Sequence, residues 1–176
     1  MKTLSVNVAA QLCQTTDLGS FFGGDVDWQY PDSVPSYFLP RDSGQKVALA
    51  RLLANTFLTF LSRGPALLWF TATGMSSSSE QMDLFTRYRS SHGETRTVSE
   101  APAHVFEAAD MEAFVSILSL ALFFYWDGEI LSQDRSLAVT ISHDEWIEYR
   151  FAKGFENFVP YFEKHFASLT KASARN

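Results

Sequence analysis

Residues 66–73, ALLWFTAT, limit the fold more than any other segment: an unbroken apolar run of strand length that follows Gly64 and Pro65. Such a run reads as a central strand buried in a sheet. Residues 123–131, FFYWDGEIL, read as a second strand carrying Asp127, with a turn or bulge near Gly128. Residues 137–141, LAVTI, pair back after the polar turn SQDRS. Alternation over residues 3–9 sets Leu4, Val6 and Val8 on one side of a further short strand, and His104, Val105 and Phe106 form another.

Helical patterns separate these strands. Residues 44–62, GQKVALARLLANTFLTFLS, show a broad apolar face of Val47, Ala50, Leu53, Ala54, Phe57, Phe60 and Leu61, with Asp42 or Ser43 able to cap it. Ser77 and Glu80 fit the S-x-x-E capping box, which predicts a helix over 79–91 ending at Gly93. Asp110 is placed to cap a mostly apolar helix over 110–122. A helix is expected over 143–153 and a further helical piece after Gly154, started or kinked near Pro160. The pattern predicts an α+β fold: a small, mostly antiparallel sheet with helices packed on one face.

The chain has 176 residues, one domain's worth. The expected organisation is a single domain over 1–176, with a loop-rich arm at about 15–42 and a frayed tail at about 170–176. Glycine and proline punctuate the arm, yet Phe21, Phe22, Trp28, Tyr30, Tyr37 and Phe38 would let it pack down as an ordered segment.

Composition excludes several functions. The net charge is -6 and the lysines and arginines are scattered, so direct nucleic-acid binding is not expected. The longest apolar-rich stretch, Phe114 to Trp126, is interrupted by Ser116 and Ser119 and is too short to cross a bilayer. The N-terminus lacks the pattern of an export signal, and the lone Cys13 fits a reducing compartment, so no membrane partner and a cytoplasmic setting are expected. Gly19 and Gly23-Gly24 form no phosphate loop, and no cofactor is expected. Charged residues make up 19%, below the roughly 25% typical of soluble domains, while 16 phenylalanines exceed what a minimal core needs. The surplus fits either a phenylalanine-rich core or a partner-facing surface.

The segment TISHDEWIEYRF, residues 140–151, looks most like chemistry. It packs His143, Asp144, Glu145 and Glu148 into six positions. Ser142 and Glu145 again match a capping box, and Asp144 would sit in a first helical turn, where the dipole favours negative charge. On that helix Asp144 and Glu148 would share a face. With Asp127 and Glu129 they could hold Mg²⁺ in a metal-dependent hydrolase. Position 147 is Ile, so the H-E-x-x-H zinc pattern fails, and no lysine accompanies the acids as a Mg²⁺ nuclease requires. Asp25, Asp27 and Asp32 lack EF-hand spacing, and no metal site is expected. His92, His104 and His165 are isolated in the sequence.

The blocks ALLWFTATGMSSSSE, YRSSHGETRTVSEAPAHVF, ALFFYWDGEI and ISHDEWIEYR, within residues 64–150, resemble segments of small, uncharacterised bacterial proteins. The resemblance implies a bacterial, cytoplasmic setting. By type, such small acidic α+β chains are similar to the immunity proteins that neutralise toxins. The expectation is a non-enzymatic binding protein or inhibitor whose partner is a protein, such as a basic toxin. The candidate contacts are Asp25, Asp27, Trp28 and Tyr30 of the arm and the pair Trp126 and Asp127, an aromatic beside a carboxylate supplying both anchor and steering. The alternatives are the metal-dependent hydrolase and a structural subunit of a larger assembly.

Overall fold

The computed structural model describes residues 1–5, 7–8, 28–29, 37–60, 64–70, 79–134, 136–152, 154, 158–169 and 171–172. The strands are β1 (Lys2–Leu4), β2 (Trp28–Gln29), β3 (Tyr37–Phe38), β4 (Ala66–Phe70), β5 (Ala103–Phe106), β6 (Gly128–Ser132), β7 (Leu137–Ile141), β8 (Trp146–Ala152) and β9 (Lys171–Ala172). Among the described residues they form one nine-stranded sheet in the order β1-β5-β4-β6-β7-β8-β3-β9, with β2 also on β8. Every pairing is antiparallel. The longer helices are α1 (Ser43–Asn55), α2 (Ser79–Ser91), α3 (Met111–Phe124) and α4 (Val159–Leu169).

The helices pack on one face of the sheet, as the apolar patterning predicts. Leu49 and Leu53 of α1, Phe85 of α2, Phe114 and Leu118 of α3, and Phe162 and Phe166 of α4 join one cluster with Leu68, Ile130, Val139 and Tyr149 of the strands. Each such side chain contributes roughly 1.5–3 kcal/mol of burial. The opposite face carries a smaller cluster of Leu4, Leu67, Trp69, Ala103, Leu131 and Ala138. The alternation is the signature of a sheet whose two faces hold different side chains.

Element boundaries differ from the sequence reading where local chemistry decides. The carboxylate of Asp42 caps α1, accepting the Gln45 N–H at 2.9 Å. That helix passes at Thr56 into a π-helical turn over Thr56–Phe60, where the Thr56 hydroxyl donates to the Leu52 carbonyl at 2.7 Å. Strand β1 stops at Leu4, and Asn7 and Val8 are helical. Asp110 reaches back to the Glu107 N–H at 3.0 Å, within the 3₁₀ turn Ala108–Asp110, and makes no forward cap on α3. Phe123 and Phe124 end α3 instead of opening a strand, because Tyr125 adopts the left-handed conformation (φ 53°) that closes a helix. Residues 28–29 and 37–38 of the arm and residues 171–172 of the tail are paired in the sheet. Residues 71–73 and Ser77 lie outside the described residues.

The largest correction falls on the helix expected over 143–153: residues 143–152 form none. Residues 142–145 make a tight turn, and Trp146–Ala152 run back as β8. The Ser142 N–H donates to the Trp146 carbonyl at 2.9 Å and the Glu145 N–H to the Ser142 carbonyl at 3.2 Å. The Ser142 hydroxyl accepts the Asp144 N–H at 3.2 Å, so the S-x-x-E residues serve a turn, a role serine fills as readily as a helix cap. Along β8, Ile147, Tyr149 and Phe151 are buried while Trp146, Glu148 and Arg150 are only partly so, a period of two.

Glu145 sits in the turn with φ 65°, a region costly for a side chain with a Cβ. Glu145→Gly is therefore expected to stabilise the chain by about 0.5–1 kcal/mol in a denaturant titration. In a first helical turn the same change would destabilise, and that sign would overturn the hairpin.

Candidate functional site

The end of the sheet that carries the β7–β8 turn gathers most of the chemistry-bearing groups. The left-handed Tyr125 turns the chain so that Asp127, just before β6, lies beside that hairpin, with Gly128 opposite Ile141. The Asp127 carboxylate accepts the His143 N–H at 2.7 Å, and its two oxygens lie 2.9 and 2.8 Å from His143 Nδ1. The carboxylate only accepts, so Nδ1 carries the proton. His143 Nε2 lies 3.5 Å from the Asp144 carboxylate. The hydrogen bond and charge of Asp127 hold the imidazole pKa above its ordinary value, and Asp144 acts in the same direction. The His143 and Asp144 side chains are 59% and 70% exposed, and that of Asp127 is 21% exposed.

A polar row continues across the sheet face away from the helices. Register places Trp69, Glu129, Thr140 and Glu148 side by side on β4, β6, β7 and β8. The Thr140 hydroxyl donates to Glu129 Oε2 at 2.7 Å, and Arg150 Nη2 lies 2.7 Å from Thr140 Oγ1 and 3.3 Å from Glu129 Oε2. Burial pushes the Glu129 carboxyl up to about 8; Arg150 and Thr140 oppose the shift, while Glu148 and Asp127 add to it. Burial thus favours the neutral form of Glu129, and its donors Thr140 and Arg150 favour the ionised one. Asp127 and Glu148 thus both lie within electrostatic reach of Glu129. The helix face expected to join Asp144 with Glu148 does not exist, because Asp144 is in the turn and Glu148 is in β8. Among the described residues no group of three or more His, Cys, Asp or Glu side chains is arranged to hold a metal ion.

Beside the turn the sheet presents an aromatic patch. Phe38 pairs directly with Trp146, and cross-strand partners share a face. Phe38 is 49% exposed. The Leu39 N–H donates to the Glu145 carbonyl at 2.8 Å, tying the β3 end to the turn. Phe38, Leu39, Pro40, Arg41, Asp42 and Glu145 are among the residues that line a groove of about 550 Å³ there. The groove combines the exposed Phe38 with charges of both signs, Arg41 beside Asp42 and Glu145.

Trp126 has no surface to offer a partner. It is fully buried, donates Nε1–H to Gln81 Oε1 at 3.3 Å and packs edge-on against Phe70 and Phe85. Asp127 lies at the site but is turned to His143. Trp28 is in β2, paired with Ala152. Asp25, Asp27 and Tyr30 lie outside the described residues. Sequence reasoning missed the pairing of the exposed Phe38 with the partly buried Trp146, and His143 as the partner of Asp127. The two-residue alternation of WIEYRF was the available signal for the last two, since it puts a hairpin at Ser142. Nothing in the sequence distinguished the exposed Phe38 from its buried neighbour Tyr37.

Comparison with known protein families, curated proteins and solved structures finds no match. Among the described residues no helix is long and apolar enough to cross a membrane.

A second perturbed group lies under the helices. His104 is fully buried against Phe70 and Phe85, and burial, helped by the Arg89 charge, pushes its imidazole down to about 3. Unfolded, it would bind a proton below its ordinary 6.5, so its stabilising share is lost as pH falls from 6.5 toward 3. Glu129 acts in the other direction: the folded chain holds a proton that the unfolded chain releases above 4.5, so stability falls as pH rises from 4.5 to 8. Each limb is at most ~1.4 kcal/mol per pH unit. Chemical denaturation against pH is expected to show Glu129→Gln flattening the alkaline limb while keeping the acid one. An unchanged alkaline limb in that variant would count against the raised Glu129 carboxyl.

Proposed function

We propose that the chain is a non-enzymatic binding protein that captures a basic protein partner, acting as an inhibitor of the immunity-protein type in the bacterial cytoplasm. The observation that carries the reading is the half-exposed Phe38 set beside Trp146, with the exposed Asp144 and Glu145 next to it. Aromatic anchors surrounded by polar groups are where binding energy concentrates, and carboxylates at a rim speed encounter with a cationic partner. The net charge of -6 acts in the same sense over longer range. Asp127 and Glu129, which a metal-dependent hydrolase would use, are engaged by His143, Thr140 and Arg150, and this favours binding over turnover.

The test is capture from lysate with the tagged chain at low and high salt, alongside the Phe38→Ala and the paired Asp144→Lys, Glu145→Lys variants. The expected result is one stoichiometric basic protein, released by salt. Phe38→Ala should weaken its binding about 30-fold, the effect of a central anchor, and the charge reversals should slow its association. Undiminished capture by both variants at low salt would remove this surface as the contact.

A further inference from the structure

We propose that His143 and Asp127 form a proton-dependent latch that pins the tip of the β7–β8 hairpin to the connection between α3 and β6. Their contacts join two segments that are 16 residues apart in the chain and are not covalent neighbours in the turn. One carboxylate serves both the backbone N–H and the ring of the same histidine, so the latch fixes the position of residue 143 and the direction of its side chain together. The backbone bond is independent of protonation. The ring contact is not: an imidazolium faces a carboxylate as an ion pair, and a neutral ring leaves only a hydrogen bond.

The surroundings make this pair responsive to pH. Among the described residues, the charged groups that act on the ring are Asp127 from the α3–β6 connection and Asp144 from the turn. Both are carboxylates, both favour the imidazolium, and the exposure of the ring limits the opposing effect of burial. The folded pKa is therefore raised, and the latch is fully made at a pH below the ordinary 6.5 and slackens as pH rises through the folded value. The turn it holds is strained at Glu145 and is otherwise fixed by few bonds: Ser142 N–H to the Trp146 carbonyl, Glu145 N–H to the Ser142 carbonyl, Asp144 N–H to the Ser142 hydroxyl, and Leu39 N–H to the Glu145 carbonyl. Loosening at Asp127 thus reaches Asp144 and Glu145 directly. At the same time the loss of the imidazolium leaves this end of the molecule one unit more negative. The latch follows from geometry within the chain and stands or falls independently of any partner.

The test uses the full chain. The His143 ring is titrated by NMR in the wild type and in Asp127→Asn, and amide protection at Ser142, His143 and Glu145 is followed across pH 5–9, corrected for intrinsic exchange. His143→Asn supplies a neutral donor in place of Nδ1 with no titration. The expected results are a wild-type pKa above that of an unstructured histidine, a lower value in Asp127→Asn, protection that drops several-fold as pH passes the wild-type value, and protection in His143→Asn that does not vary with pH. Identical titrations in the wild type and Asp127→Asn, or wild-type protection that is flat across the range, would overturn the latch.

Discussion

The register of the central antiparallel strands is the constraint on which the rest of this structure depends. One row, His104, Leu68, Ile130, Val139 and Tyr149, faces the helices and is essentially fully buried. The adjacent row, Ala103, Trp69, Glu129, Thr140 and Glu148, faces the other way. A slip of one residue in β7 or β8 would send Val139 and Tyr149 out and bring Thr140, Glu148 and Arg150 into the apolar core. Apolar burial therefore fixes the position of the polar row as firmly as it fixes the core.

Within that frame the polar groups are held by one another. Burial disfavours a charge on Glu129, while the Thr140 hydroxyl and Arg150 at 3.3 Å, both donors to Oε2, favour it. Asp127, nearer the solvent, meets a histidine instead. The same sheet end thus places two acids two residues apart in different settings, Glu129 with its carboxyl pushed up by burial and Asp127 bonded to His143. Beyond them the aromatic pair Phe38 and Trp146 lies beside the exposed carboxylates of the turn.

Much of the architecture is legible in the sequence because burial writes a period into it. The apolar run that opens at 66, the strand LAVTI, the helical patterns read over 44–62, 79–91 and 110–122 and the antiparallel pairing all follow from it. The failures lie where local signals are degenerate. Ser142-x-x-Glu145 satisfies a helix cap and a tight turn equally well, and only the alternation of the next six residues separates them. Phe123-Phe124 has the composition of a strand, yet it extends α3 by a turn until Tyr125 stops it. The site was legible as types and illegible as partners: Asp127 and His143 are both visible, but 16 positions of sequence hide that they meet. Trp126 drew attention for being large and beside an acid, and those features also describe a core tryptophan.

The most direct test of this account is the set of cross-strand NOEs across residues 137–152 in the isotopically labelled chain. The register predicts close backbone contacts between Val139 and Tyr149, Thr140 and Glu148, and Phe38 and Trp146, with strong sequential Hα–HN signals along β8. Medium-range contacts spaced three and four residues apart over 143–151, without the cross-strand set, would show a helix there. They would dismantle the polar row, the aromatic pair and the latch together.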